Sequence, residues 1–224
     1  MEKLSTGALF LDQLLNGGYD QDIVTTIYGP SGSGKTNFCL MAAVKVAENG
    51  KKVIFVDTEG GIAVERIKQI STSYKDALIN MLFFNPFNFI EQNEIMDKLK
   101  ELINEDIGLI VVDSISMLYR LELGKREDVY DVNISLGRQI ATLVEITRKR
   151  KIPVLITNQV YSDFDDRNEV KMVGGDLLRY GSKCLIELKR NNNSREFILR
   201  KHRSLPEGLG TTFKIVQSGL ESIN

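Results

Sequence analysis

Residues 29–36 read Gly29, Pro30, Ser31, Gly32, Ser33, Gly34, Lys35, Thr36, the pattern G-x-x-x-x-G-K-[ST] in full. It restricts the fold more than any other feature, because the pattern works only between a buried strand and the first turn of a helix. Both flanks comply. Ile23 to Tyr28 is apolar and β-branched, as in a buried strand, and Asn37 to Glu48 carries Phe38, Met41, Ala42, Lys45 and Val46 at helical spacing. The glycines let the backbone wrap and turn successive N–H groups inward, and the helix N-terminus adds partial positive charge. Such a loop cradles a polyphosphate. Lys35 can reach the β- and γ-phosphates, and the Thr36 hydroxyl can ligate Mg²⁺.

The rest of the chain supplies the sheet this loop needs. Strand patterns at 51–56, 81–84, 109–112 and 153–157 alternate with helical patterns at 62–74, 91–104 and 132–150. The run Leu109 to Val112 is wholly apolar, as in a parallel strand buried on both faces. This is the rhythm of a doubly wound α/β domain. From Cys184 the pattern changes: 184–189, a turn at Asn191 to Asn193, and 196–199 read as a hairpin, with a further strand at 210–216. An antiparallel C-terminal extension on a mostly parallel sheet is therefore expected, all within one domain of 224 residues.

Composition narrows the chemistry. His202 is the only histidine, which disfavours histidine metal clusters and Ser-His-Asp catalysis. Cys39 and Cys184 lie in apolar contexts and suit buried thiols of a cytoplasmic protein. No run approaches the roughly 18 apolar residues of a membrane span, and the N-terminus lacks the apolar stretch of a signal peptide. Net charge is −1, so global charge does not indicate a nucleic-acid binder. Locally, residues 179–203 hold eight Lys/Arg against Glu187 and Glu196, and 148–151 is a second basic run. Each suits a solvated face or a phosphate-binding patch.

Two strand ends carry carboxylates. Asp113, closing 109–113, is placed to hold the Mg²⁺ that bridges phosphates. In the segment 55–61, Glu59 is the candidate to orient and deprotonate an attacking water, or else a cap for the helix that follows. Asp57 suits a structural turn. Gln159, closing the strand at 153–157 and its Asn158, has an amide able to hydrogen-bond a γ-phosphate and move when it leaves.

Taken in order, these segments resemble the RecA/Rad51 recombinase superfamily, most closely its archaeal RadB members. The resemblance runs from Ser5-to-Gly7, Leu11, Asp12 and Leu14-to-Gly18 through the phosphate loop, 57–60, 109–114 and 156–160, to 173–176 and 199–208. It implies a RecA-type P-loop ATPase core binding ATP and Mg²⁺. Gly29 to Thr36 and Asp113 form the nucleotide and metal site, Glu59 activates water, and Gln159 senses the γ-phosphate. Arg66 matches an arginine that stacks on adenine; as a residue type alone it equally suits an exposed helix position. Pro206 lies in a segment resembling one that caps a neighbouring subunit's nucleotide. The resemblance also implies two DNA-facing loops, near 119–133 and 161–173. Arg120, Lys125 and Arg126 are candidates in the first, Arg167 and Lys171 in the second. Tyr161 and Phe164 could stack on bases or pack on the loop.

Two departures qualify this. The second loop sets Asp163, Asp165, Asp166 and Glu169 against Arg167 and Lys171, a net charge of −2 that would repel a phosphate backbone. The chain also reaches the ATPase pattern almost at once, with no helical N-terminal DNA-binding domain, as in RadB. The implied function is a weak ATPase that binds single-stranded, double-stranded or branched DNA without strand exchange and assists or regulates recombination and repair. The implied partners are a RadA-like main recombinase and a Holliday-junction nuclease; no membrane is involved, and a homo-oligomer is compatible. A filament-forming recombinase and a KaiC-like signalling ATPase are the competing readings.

Overall fold

A computed structural model describes residues 3–125, 129–162 and 170–223. Strand Lys3–Leu4 (β1), helix Leu9–Leu14 (α1) and strand Tyr19–Asp20 (β2) form the entry segment, with β1 and β2 antiparallel. The α/β body follows as Val24–Tyr28 (β3), Lys35–Glu48 (α2), Lys52–Asp57 (β4), Val64–Ile70 (α3), Tyr74–Ile79 (α4) and Met81–Phe84 (β5). It continues through Phe89–Leu102 (α5), Ile107–Asp113 (β6), Met117–Leu123 (α6), Tyr130–Arg150 (α7) and Val154–Asn158 (β7). A small hairpin, Val160–Ser162 (β8) with Val170–Met172 (β9), precedes Gly175–Gly181 (α8). Four strands close the chain: Cys184–Arg190 (β10), Arg195–Lys201 (β11), Gly210–Val216 (β12) and Gly219–Ile223 (β13).

The main sheet has nine strands in the order β13-β12-β11-β10-β3-β7-β6-β4-β5. From β10 to β5 every neighbouring pair is parallel; from β13 to β10 every pair is antiparallel. The mostly parallel sheet and its antiparallel C-terminal extension are as expected from the sequence.

The central strands are almost wholly buried and mostly apolar because helices cover both faces. Alternation sorts their side chains. Val53, Phe55, Leu109, Val111 and Leu155 join Phe38 and the rest of α2 in one core. Ile54, Val56, Ile110, Val112, Val154 and Ile156 pack with α5 and α7 in the other. The antiparallel extension joins the first core through Phe197 and Phe213, whose rings lie 6.1 and 5.3 Å from that of Phe38. Cys39 and Cys184 are buried there as free thiols; burial pushes the Cys184 thiol up to about 12.

Local chemistry moves several element boundaries from where periodicity puts them. The pattern at 62–74 is two helices, not one. Ser71 adopts an extended backbone, donates its hydroxyl to Glu48 at 2.5 Å and accepts the Ser73 N–H at 3.0 Å. That local bonding replaces the helical ladder. Helix α5 begins earlier than residue 91 because Asn88 caps it, accepting from the Glu91 N–H at 2.9 Å while Glu91 reaches back to the Phe87 N–H at 2.8 Å. Much of the expected first loop is helical: residues 117–123 form α6 and α7 starts at Tyr130. Tyr119 is buried and donates to Asn133 at 2.5 Å across the connection. Among the described residues, no helix is long and apolar enough to cross a membrane.

The entry segment has a packing role. Asp12 accepts from the Ser5 hydroxyl at 2.6 Å and from the Thr6 N–H and hydroxyl at 2.6 and 2.7 Å, folding Ser5 to Gly7 over α1. Three of the eight Lys/Arg at 179–203 are engaged with the C-terminal strands, α8 or the entry segment. Arg200 bonds Glu187 at 2.6 Å, Lys201 donates to the Arg179 and Ser182 carbonyls, and Arg203 grips Asp20 and Asp22.

Candidate nucleotide-binding site

Parallel pairing brings the carboxyl ends of β3, β7, β6 and β4 side by side. Tyr28 pairs with Asn158 and Asp57 with Asp113, so the residues after these strands emerge along one edge. An open α/β sheet binds ligands there.

The loop from Gly29 to Gly34 connects β3 to α2. Gly34 caps the helix in the left-handed region at φ 105°, where a side chain would be strained. At Gly29 the main chain approaches β10 so closely that a Cβ would stand 2.2 Å from the Leu188 carbonyl oxygen. Lys35, in the first turn of α2, is buried and donates to the carbonyls of Gly29 and Pro30 at 2.9 and 3.0 Å. Burial lowers its pKa, opposed by the carboxylates of Glu59 and Asp113.

Asp113 is buried at the end of β6, and burial raises its pKa, against hydrogen bonds from the Thr157 and Thr36 hydroxyls. Asp57 is the turn residue that its position suggested. One of its oxygens accepts from the N–H groups of Glu59 and Gly60 at 3.1 and 2.8 Å, and the other from Ile62 at 3.2 Å. The carboxylate thereby folds the segment that presents Glu59 to solvent. Gln159 donates its amide to Glu59 Oε1 at 2.8 Å. Its main chain is tied on both sides: the N–H donates to Ser116 Oγ at 3.3 Å and the carbonyl accepts from Val173 at 3.1 Å. Next to it, Asn158 donates to the Val173 carbonyl at 3.0 Å. The two strand-end amides thus join the carboxyl edge of the sheet to the base of the β8–β9 hairpin.

The phosphate loop, Lys35, Thr36, Glu59 and Gln159 wall a cavity of about 560 Å³, with Asp113 set behind Thr36 rather than on the wall. Asn37, Arg120, Val160, Arg195 and Ile215 also line it. Arg195 was not anticipated as a site residue. It stands in β11 and donates Nε to the Gly32 carbonyl at 3.0 Å. The basic run that contains it was the available signal, but only the placement of β11 beyond β10 brings it to the loop.

Arg66 is not on the cavity wall. Its guanidinium bonds Asn37 at 2.7 Å, Gln69 at 2.9 Å, and the Val216, Gln217 and Gly219 carbonyls at 3.0, 2.9 and 3.2 Å. It therefore ties α3 to the start of α2 and to the β12–β13 turn. Of the expected DNA contacts, Arg120 is in the cavity. Lys125 is exposed and 4.0 Å from Glu122, and Lys171 is exposed on β9. Arg126 and Arg167 lie outside the described residues, as do Asp163 to Glu169. Pro206 is exposed, in a turn pinned by the buried His202 ring, whose Nδ1 accepts from the Ser204 and Leu205 N–H groups at 3.2 Å each.

The residues fit a magnesium-complexed triphosphate. The buried Ser33 hydroxyl oxygen faces no hydrogen-bond partner among the described residues. Thr36 and Asp113 offer hard oxygen ligands in contact with each other. The amides of the loop and the Lys35 ammonium supply the anion-binding donors.

Fold and site together define a RecA-type P-loop nucleotide-binding domain. The Rad51 family model matches residues 1–223. The DNA repair and recombination protein RadB of Methanococcus maripaludis is 44% identical over 216 residues, 96% of this chain and 98% of that protein. RadB of Methanobrevibacter smithii is 45% identical over 218 residues, 94% of this chain and 92% of its own length. A crystal structure of the RadB recombinase superposes with a TM-score of 0.83 at 37% identity, covering 99% of this chain and all of that one. The chain belongs to the Rad51 family, among its archaeal RadB members.

Proposed function

We propose that this chain binds ATP with Mg²⁺, hydrolyses it weakly, and acts as a DNA-binding accessory protein that assists or regulates homologous recombination and repair. The observation that carries the reading is the convergence of the phosphate loop, Glu59 and Gln159 on one cavity, in a chain 44% identical to a RadB over nearly its whole length.

The loop amides, Lys35 and Thr36 hold the phosphates, and Thr36 and Asp113 hold the metal. Bound Mg²⁺ supplies positive charge against the phosphate oxygens. Glu59 orients a water and accepts its proton. Gln159 is already bonded to Glu59 at 2.8 Å, so an anion that attracts the amide also frees the carboxylate. Through Asn158, Gln159 and Val173 that change reaches the β8–β9 hairpin, whose strands flank the acidic second loop in the sequence. The net charge of −2 in that loop supports an accessory role over autonomous strand exchange. Single-stranded, double-stranded and branched DNA and a RadA-like recombinase are the partners in this reading.

Calorimetry with an ATP analogue and Mg²⁺, followed by gel shift on single-stranded and branched DNA, tests both halves. Saturable nucleotide binding, with DNA binding that differs between the analogue and ADP, is the expected result. No heat with any Mg²⁺-complexed purine nucleotide overturns the nucleotide half, and no shift on any DNA at low salt overturns the DNA half. Robust strand exchange by the chain alone overturns the accessory role.

A further inference from the structure

Arg120 was expected to face DNA, yet it stands on the wall of the phosphate cavity. The lining holds three cations, Lys35, Arg120 and Arg195, and one carboxylate, Glu59. Two of those cations are already engaged. Lys35 bonds two loop carbonyls and Arg195 bonds a third through Nε. The Arg120 side chain forms no hydrogen bond or ion pair among the described residues, so its whole planar fork is available to a ligand.

Its position along α6 says which part of a ligand it would meet. The helix starts at Met117, whose sulfur lies 3.9 Å from the Gln159 amide nitrogen. Ser116, the residue before, accepts the Gln159 N–H at 3.3 Å. Residues three apart on a helix share a face, so Arg120 stands one turn beyond Met117 on the side of the Glu59–Gln159 pair. The extension contributes to the same cavity through Ile215 and Arg195, whose side-chain atoms come within 3.3 and 3.7 Å of a Cβ built on Gly34.

We propose that Arg120 is a nucleotide-site residue which contacts the terminal phosphate from within the same chain and so discriminates a triphosphate from a diphosphate. The proposal deepens, and rests on, the nucleotide-binding reading above. A guanidinium adds two directed donors and a full charge at the oxygens where negative charge is greatest, next to the amide and carboxylate proposed to act on them. As a main-chain continuation of β6, α6 also links this contact to Asp113 through only a short connection.

The test is calorimetry of wild type, Arg120→Ala and Arg120→Lys, each titrated with a non-hydrolysable ATP analogue and with ADP in Mg²⁺. The salt dependence of DNA binding is measured on the same proteins without nucleotide. Arg120→Ala is expected to lose about tenfold in analogue affinity with ADP affinity unchanged, as for one partly solvated charge-assisted contact. Arg120→Lys recovers part of the loss, and the salt slope stays at the wild-type value. Equal analogue affinity in wild type and Arg120→Ala, or equal losses for analogue and ADP, overturns the proposal. So does an unchanged analogue affinity with a salt slope reduced by about one, which returns Arg120 to the DNA path. A wild-type chain that binds neither nucleotide overturns this inference together with the reading beneath it.

Discussion

Replacing Arg66 by alanine separates two roles that one side chain could play. Five acceptors surround its guanidinium, and three of them, on Asn37, Val216 and Gly219, are partly buried. Those on Gln69 and Gln217 are exposed and water replaces the arginine there at little cost. Counting only the partly buried bonds at about 0.5–1 kcal/mol each gives a loss of roughly 2 kcal/mol. For a domain of this size that lowers the melting temperature by about 4–8 °C. The loss is present without nucleotide, because the bonds join parts of the protein to each other. Thermal unfolding of the free protein, monitored by circular dichroism, measures it. Arg66→Lys should recover little, since one ammonium cannot span acceptors on α2, α3 and the β12–β13 turn. If Arg66→Ala instead melts within a degree of wild type while nucleotide affinity drops tenfold, the side chain acts on the base and its bonds to the turn are incidental.

Lys35→Ala should reduce affinity for an ATP analogue by about tenfold or more, through loss of a charge-assisted phosphate contact; titration calorimetry with unchanged affinity contradicts this. Glu59→Gln keeps the hydrogen-bonding shape beside Gln159 but removes the proton acceptor, so nucleotide affinity should persist while phosphate release falls about a hundredfold; equal turnover places the base elsewhere. Burial raises the Asp113 carboxyl above its ordinary 3.8. Its contribution to stability is therefore complete below that value and is lost as pH rises through the higher folded value. Asp113→Asn should thus melt a few degrees above wild type near pH 7 without nucleotide, and the gap should close toward about pH 4. A gap that ignores pH sinks that account.

What could be read from the sequence, and what could not, divides by the range of the interactions involved. The phosphate loop, the strand before it, the helix after it and the acidic strand ends were legible because each is local: a glycine at a left-handed cap, an apolar run covered on both faces, a carboxylate at a strand end. Even Asp57 was readable as a turn residue, since its acceptors serve amides only two to five residues ahead. The division of 62–74 at Ser71 was missed because side-chain bonding there overrides periodicity.

The surroundings of Arg66, Arg120 and Arg195 were not legible for another reason. They depend on strand order. The hairpin of β10 and β11 was expected, but nothing in it announces that β10 pairs in parallel with β3, with Ile186 beside Ile27 and Glu187 beside Tyr28. That one pairing carries the whole antiparallel extension to the phosphate loop. It lays Leu188 against Gly29, brings Arg195 to the Gly32 carbonyl across 163 residues, and turns the β12–β13 turn toward Arg66 across about 150. The extension is thus a wall of the candidate nucleotide site, built from residues whose composition alone reads as a basic surface. A substitution that loosens β10 from β3 should therefore weaken nucleotide binding without touching the loop. Thr26, buried in β3, shares a hydrogen bond of 2.7 Å with Ser182 at the entry to β10. Thr26→Val keeps the shape and strands the Ser182 hydroxyl, at a cost of about 1–3 kcal/mol. Reduced nucleotide affinity together with a lower melting temperature is the expected pair of results. A lower melting temperature with affinity intact would mean that the loop holds its ligand without the extension.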